Sequence, residues 1–429
     1  MMDDNNFWNH LPGEDTIYRT ELPNGIVVLS KSDFNSPSIV ISGYLQCGSI
    51  HDPKEKLGLG LFTSYALMRG SIFRRYRKIY NDLETAAATL GFGASVQSTS
   101  FGGKALVEDL PLLLKTLSES IRWPIFPPLQ LKILISQILT GLQIREQDTS
   151  ERASLRFDEV LFPNHPYGIA EEGTIETISR IRRSDLVKFH KKYYGPKGMV
   201  IAIVGAIEPQ QVVEMVYREL GDWENPDWVA PPEIQEVPLK NFSHHEHINI
   251  PGKFQTDLIM GGYGPTRMSE DFLIASLGNN ILGQFGMMGR IGEAVRDKSG
   301  LAYYASTALN AWQRAGTWEI SAGVNPSNIE KAIKIIQGEI SRFITEPVLD
   351  QELEDAKANM IGLIPLSIES NAGVASAIIR MERYKLGLNY LRKFPNMISS
   401  ITKEEILTVS RKYLDPDQMV IISAGTTNA

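Results

Sequence analysis

The feature that most constrains this chain is that it repeats itself. "KYYGPKGMVIAIVG", Lys192 to Gly205, and "KYLDPDQMVIISAG", Lys412 to Gly425, share Lys, Tyr, Pro, Met, Val, Ile and Gly at matched places. Each reads as a helix end, a Pro turn and a buried strand. The stretches ahead of them correspond too: "SDLVKFHKKYY" from Ser184 and "TKEEILTVSRKYL" from Thr402 each place a Ser or Thr cap before an amphipathic helix. Earlier still, "IVISGYLQCGS" and "TDLIMGGYGP" are β-rich runs followed by helical stretches at Gly58 to Arg69 and Phe272 to Leu282. A chain of 429 residues is long enough for two cores of ordinary size.

Two homologous α+β halves are therefore expected, residues 1–223 and 242–429, each a mainly antiparallel sheet packed with helices. Between them Glu224 to Asn241 carries Pro226, Pro231, Pro232 and Pro238, which deny helix and central-strand pairing and mark a linker. Inside the first half, Lys78 to Leu90 reads as a helix stopped by Gly91, and "GFGASVQSTSFGGKALVE" as a strand pair with glycines at its turns. Long helices are expected at Pro128 to Gln147 and Glu151 to Leu161.

The formal net charge of −7 argues against non-specific nucleic-acid binding, which needs clustered cations to replace counterions on phosphates. The short cluster Arg74, Arg75, Arg77, Lys78 reads as a solvated face. The opening "MMDDNNFWNHLPGED" is acidic and polar where a secretory signal is basic and then apolar, and no run approaches the roughly 18 apolar residues of a membrane span. A cytoplasmic protein with no membrane partner is expected. The single cysteine, Cys47, allows no intrachain disulfide framework and reads as a small buried hydrophobe.

"GLGLFTSYALMRGS", Gly58 to Ser71, has the outline of an active-site helix without catalytic side chains. The stretch resembles the signature helix of the pitrilysin, insulinase and mitochondrial processing peptidase family, whose inverted zinc motif H-x-x-E-H is set in G-L-x-H-F-x-E-H-M-L-x-x-G-[ST]. The frame agrees at Gly58, Leu59, Phe62, Leu67, Gly70 and Ser71. Where the family has His, Glu and His, this chain has Leu61, Ser64 and Tyr65. Positions 61 and 65 lie one helical turn apart, so two histidines there could share one metal, and a glutamate at 64 could activate the bound water. By the same resemblance the family's third ligand, a glutamate on a later long helix, falls at Gly141 in "QILTGLQIREQD", and Leu129 to Arg145 holds no acidic residue. The resemblance thus implies a degenerate site at Leu61, Ser64, Tyr65 and Gly141, with no metal or other cofactor in this chain.

The resemblance runs along the whole chain, through "EDLPLLLKTLSESIRWPIFPP" and "FPNHPYGIAEEGTIETISRI" to "GMMGRIGEAVRDKSGLAYYAS", which is similar to the family's C-terminal signature. In that signature an Arg and a Tyr seven positions on reach into the catalytic chamber, bind the substrate backbone and help to stabilise the tetrahedral intermediate. They fall at Arg296 and Tyr303. From the residue pattern alone Arg296 reads as a solvated charge and Tyr303 as a strand core residue. In bacterial family members made of two chains, one subunit carries H-x-x-E-H and the other lacks it but has the Arg and Tyr; this chain has the second pattern. "NNILGQFGMMGR" lacks the long glycine-rich loop of the processing peptidase's noncatalytic subunit.

Two readings of function follow. In the first, this chain is the noncatalytic subunit of a heterodimeric zinc endopeptidase, inactive alone, meeting a homologous zinc-bearing partner and a peptide or unfolded polypeptide. In the second it is a structural or peptide-holding homologue. An independent peptidase with a rebuilt metal site is a third. The histidines offer little support for the last: His51, His165 and His190 read as loop or helix residues satisfied by neighbours, and His245 and His247 share one strand face, either a polar edge or part of a metal site. "GLGLFT" is not a dinucleotide fingerprint, and glycines 283, 286, 289 and 292 are followed by no Lys-Ser or Lys-Thr, so nucleotide is not expected.

Overall fold

The computed structural model describes residues 8–238, 242–284 and 289–426. The repeated segments become β6 (Val200–Gly205) and β11 (Val420–Gly425), and every residue of both strands is buried. Continuous apolar runs of this kind belong to strands covered on both faces. Around β6 stand β1 (Tyr18–Glu21), β2 (Val27–Ser32), β3 (Ser38–Leu45), β4 (Thr89–Ala94) and β5 (Thr99–Leu106), in the order β1-β2-β6-β3-β5-β4. Around β11 stand β7 (His244–Asn249), β8 (Thr256–Tyr263), β9 (Ala302–Ala311) and β10 (Gly316–Val324), in the order β7-β11-β8-β10-β9. Each repeated strand runs parallel to one neighbour, β2 or β7, and antiparallel to the other, β3 or β8. All other pairings are antiparallel. The second sheet therefore copies the first, without a counterpart of β1 among the described residues.

The chain divides into two compact units, each assembled from three segments. The first comprises the residues through Leu142, then Ala170–Glu233 and Ile364–Lys393. One face of its sheet lies on a core that includes Ile39, Ile41, Phe62, Leu113, Leu117 and Phe189. The other face, through Val27, Leu29, Val40, Val200 and Ala202, packs against Val374, Ala375, Ile378 and Met381 of the helix Asn371–Arg383. That late helix is fastened by Asn371 Nδ2 donating to Ser38 O at 3.1 Å and by the Arg19–Glu382 ion pair at 2.8 Å. The second unit comprises Gln143–Ile169, Ile234–Leu363 and the residues from Phe394. Its sheet packs on the helix Thr149–Leu161, which buries Ala153, Phe157 and Leu161 and touches β8 and β11.

Local chemistry moved several boundaries from their sequence-based positions. The helix expected at Lys78 to Leu90 spans Tyr76–Thr85. Despite the helix-favouring alanines it ends where Ala87 turns left-handed at φ 48°, with Ala87 N donating to Glu84 O at 3.1 Å and Ala88 N to Leu83 O at 2.8 Å. This bond pattern closes helix ends and releases Leu90 and Gly91 into β4. The glycines expected at the turn of the β4–β5 pair sit inside its strands, Gly91 opposite Gly102, while Ser95 to Ser98 make the turn through Ser95 N donating to Ser98 O at 2.8 Å. Ser184 is not a cap: the helix is Arg183–Tyr193, and Asp185 Oδ2 accepts the N–H of Arg182 at 2.8 Å. Thr402 does cap its helix, in a capping box with Glu405.

Residues 224–238 contain no helix or strand. Their start is stapled to the end of the helix Arg183–Tyr193: Asn225 Nδ2 donates to Lys191 O at 2.8 Å and Tyr194 O at 2.6 Å, and Val229 N to Lys192 O at 3.0 Å. Ile234 is buried. Residues 239–241 lie outside the described residues. We propose that this proline-rich stretch is where limited proteolysis cuts first. The fragments are expected to stay together afterwards, because the C-terminal piece contributes Ile364–Lys393 to the first unit and the N-terminal piece contributes Gln143–Ile169 to the second. Separation of the nicked protein into two species on size exclusion in native buffer would contradict this.

Candidate functional site

The signature stretch folds as the helix Leu59–Ala66, entered through Gly58 at φ 92°. A side chain at Gly58 would be strained by that backbone and would bring a Cβ within 2.6 Å of Glu172 O. The entry is held by Asp52, whose Oδ2 accepts the N–H of Gly58 and whose Oδ1 accepts the N–H of Gly60, both at 2.8 Å. A carboxylate on the first N–H groups of a helix satisfies donors that the helix itself leaves unpaired. Asp52 was not singled out from sequence; its signal is an Asp shortly ahead of a Gly-flanked apolar helix.

Within the helix Leu61 is buried and Ser64 fully so, its Oγ donating to Leu61 O at 2.7 Å. Tyr65 is 41% exposed, and burial together with the nearby carboxylates Glu172 and Glu171 raises its phenol further above the usual range. Gly141 lies in the helix Pro128–Arg145, and a Cβ there would meet open space. Zinc needs three or four N, O or S donors. Leu61 and Gly141 have none, the Ser64 hydroxyl is engaged and sealed, and the Tyr65 phenol stays protonated, so this position does not fit zinc. Among the described residues no three His, Cys, Asp or Glu side chains are grouped to hold a metal.

The other histidines are accounted for locally. His190 Nε2 lies 2.8 Å from Ile121 O and His165 Nε2 3.1 Å from Gln235 O. His51 stacks on Tyr193 with ring centroids 4.0 Å apart, but its Nε2 is buried without a hydrogen-bond partner, against the expectation that neighbours satisfy it. His245 and His247 do share the outer face of β7; His247 Nδ1 lies 2.8 Å from Ser423 Oγ, and on the other face His244 pairs with Glu246 at 3.0 Å.

In the second unit, Arg296 belongs to the π-helical turn Glu293–Asp297 and Tyr303 to β9. The segment is anchored ahead of Arg296 by Arg290, which makes a bidentate ion pair with Glu352 at 2.7 and 2.6 Å, and by Val295, fully buried. Behind Arg296 the chain closes on itself: Gly300, at φ 60°, donates to Arg296 O at 2.9 Å, and Leu301 N donates to Val295 O at 3.0 Å. The guanidinium of Arg296 is partly exposed, with Nε 3.9 Å from Asp297 Oδ1. Tyr303 is not the strand core residue that alternation suggests; it is 85% exposed. β9 is the edge strand, pairing Ala302 with Val324 and Tyr304 with Gly323, so Tyr303 opposes no residue of β10. A bulge of this kind re-aims one side chain. Its neighbour Tyr304 is tied inward, donating to Asp257 Oδ1 at 2.8 Å.

Several buried groups titrate in an unusual range. Burial pushes the Asp52 carboxyl up to about 7, against the N–H groups of Gly60 and Gly58 that favour its charge. Burial, with Glu319 nearby, pushes Asp158 up to about 8. Burial pushes His51 and His190 down to about 4. A carboxyl raised in the folded state contributes stability at low pH that is lost as pH rises through its folded value. A histidine lowered in the folded state contributes stability above about pH 6.5 that is lost as pH falls. The two effects oppose each other between roughly pH 4 and 6.5, and only the carboxyls act between roughly pH 6.5 and 8. The unfolding free energy from urea titrations is therefore expected to fall from pH 6.5 to 8, by up to ~1.4 kcal/mol per pH unit for each carboxyl still titrating. Asp158→Asn should flatten the slope; an unchanged slope in that variant would contradict the assignment.

Residues 180–360 match the family model described as Peptidase M16 inactive domain, and the chain is similar to M16 peptidases along most of its length. It is 27% identical to the crystal structure of a peptidase M16 inactive domain from Pseudomonas fluorescens, with a TM-score of 0.89 over 96% of this chain and 98% of that one. It is 21% identical over 407 residues to an uncharacterized zinc protease of Streptomyces coelicolor, covering 94% of this chain and 88% of the relative. It is 23% identical over 446 residues to the mitochondrial-processing peptidase subunit beta of Saccharomyces cerevisiae, covering 98% and 93%. The mixed α+β architecture with two helix-packed sheets matches that of the M16 inactive-domain structure.

Proposed function

We propose that this chain is the noncatalytic subunit of a heterodimeric zinc endopeptidase. It supplies half of a chamber, with Arg296 and Tyr303 contacting a peptide that is cut on a homologous zinc-bearing partner. The observation that carries the reading is Tyr303: a tyrosine 85% exposed on a bulged edge strand gives nothing to its own core and presents a hydroxyl donor to whatever lies outside. Beside it in sequence, a turn closed on Arg296 O holds a partly exposed guanidinium. A cation and a hydroxyl carried on an anchored backbone suit a peptide carbonyl: Arg296 donates to the backbone oxygen in the bound state, and Tyr303 donates to the same class of oxygen as negative charge grows on it. The experiment is turnover of a quenched peptide by this chain, by a zinc-bearing homologue and by the mixture, with wild type, Arg296→Ala and Tyr303→Phe.

A further inference from the structure

The chain holds 50 Asp and Glu among 429 residues, yet Lys56 to Asn81 and Ser120 to Arg145 hold none. These two stretches meet on one edge of the first unit. Gly70 O accepts the N–H of Ile125 at 3.0 Å, Trp123 O accepts that of Ile72 at 3.1 Å, and a Cβ on Gly70 would come within 3.3 Å of Pro127 Cγ. The first stretch contributes a tight turn in which Ser71 N donates to Arg74 O at 2.9 Å and Ser71 Oγ accepts from the N–H groups of Phe73 and Arg74. At its tip Ile72 and Phe73 are 62% and 59% exposed. The second contributes the helix Pro128–Arg145, whose inner side buries Leu131, Leu134 and Leu142. Its outer side exposes Leu129 and Ile133 along a groove of about 640 Å³ that continues to Thr140.

A helix apolar on both sides has one face without a partner inside its own fold. Two carboxylates that reach the tight turn from elsewhere are committed: Glu119 to Arg74 at 2.7 Å, and Asp82 to Lys78 at 2.6 Å and Arg74 at 3.3 Å, while Glu171 and Glu172 lie near Tyr65 on the preceding helix. Arg75 and Lys132 are left exposed beside the apolar groups, on a protein of net charge −7.

We propose that this edge binds a polypeptide segment rich in apolar and acidic side chains. The inference rests on the peptide-contacting role proposed above and names the class of polypeptide it favours. Apolar side chains would occupy the groove against Leu129 and Ile133 and the tip at Ile72 and Phe73, and carboxylates would meet Arg75 and Lys132. A groove along a helix suits a chain with discrete side chains better than a flat lipid surface.

The test uses the full chain and two fluorescein-labelled peptides of equal length and equal Leu and Phe content, one carrying Glu and the other Lys at the remaining positions. Fluorescence anisotropy at low salt is expected to show the Glu peptide binding at least about tenfold more tightly, with the preference shrinking as salt is raised. Arg75→Glu combined with Lys132→Glu should invert the preference, and Ile133→Asp should weaken the Glu peptide by about tenfold or more. All three positions are exposed, so an unchanged circular dichroism spectrum should accompany each variant. Equal binding of both peptides, no binding of either, or indifference to all three substitutions overturns the proposal. So does binding to phosphatidylserine vesicles without binding to the Glu peptide. If charge preference fails while Tyr303→Phe still lowers kcat in the mixed pair by about tenfold or more, this inference falls and the proposed function stands. If the preference holds while both chamber variants turn over at wild-type rates, the edge binds peptide but the chamber role is wrong.

Discussion

Turnover of a quenched peptide is expected only from the mixture of this chain with a zinc-bearing homologue, and replacing Tyr303 by Phe in the mixture is expected to lower kcat by roughly ten- to a thousandfold. The substitution deletes one hydroxyl and keeps the ring. Since Tyr303 is 85% exposed on a bulge and packs into no core, the fold and any pairing should survive it. The loss therefore isolates a donor that acts as charge develops on the substrate, and it should fall on kcat more than on KM. Arg296→Ala should act differently in proportion. Its guanidinium is a charged donor available to the bound peptide as well as to the transition state, so KM should rise along with a fall in kcat. Wild-type rates from both variants would reduce this chain to a scaffold or a peptide holder.

How much of this was legible in the sequence depended on the kind of physics involved. The strands β6 and β11 were readable because burial on both faces writes a continuous apolar run, and the Pro turn ahead of each marks its start. The exchange of helices was not readable. An amphipathic pattern says that Asn371–Arg383 and Thr149–Leu161 each bury one face, not which sheet covers it. The end of the helix at Thr85 was misplaced because alanine propensity favours continuation, whereas the bond from Ala88 N to Leu83 O stops it. Tyr303 illustrates the same limit at the candidate site. Alternation along β9 assigns it to the core, but a register shift between Gly323 and Val324 re-aims it outward, and register belongs to a pair of strands. In the sequence, only the resemblance of "GMMGRIGEAVRDKSGLAYYAS" to the family signature singles the position out. Positions 61, 64 and 141 are the reverse case: the absence of donors at Leu61 and Gly141 is visible in the letters, while the sealing of Ser64 is a matter of packing.

That packing sets the second large effect, expected when His, Glu and His are introduced at positions 61, 64 and 65. Leu61→His, Ser64→Glu and Tyr65→His together should neither bind zinc stoichiometrically nor cleave peptide, because two histidines leave the metal one protein ligand short. They should also destabilise the chain severely. Ser64 has no exposed surface and its Oγ is engaged with Leu61 O, so a glutamate must bury a carboxyl without a charge partner, at roughly 3 kcal/mol or more. Leu61 is 7% exposed, and exchanging its side chain for an imidazole should cost about 2 kcal/mol further. Losses of that size are comparable with the whole stability of many domains. Gly141→Glu should move stability in the opposite direction: a Cβ there meets nothing within 4 Å, and replacing a mid-helix glycine gains about 0.5 to 1 kcal/mol. The comparison is made on single variants by urea unfolding, with zinc content after dialysis measured on the combined variant. Equal tolerance of Ser64→Glu and Gly141→Glu would show that the helix Leu59–Ala66 can still open a polar site. A lowered midpoint for Ser64→Glu beside a raised one for Gly141→Glu would show that packing, as well as the missing ligands, now closes this position to metal.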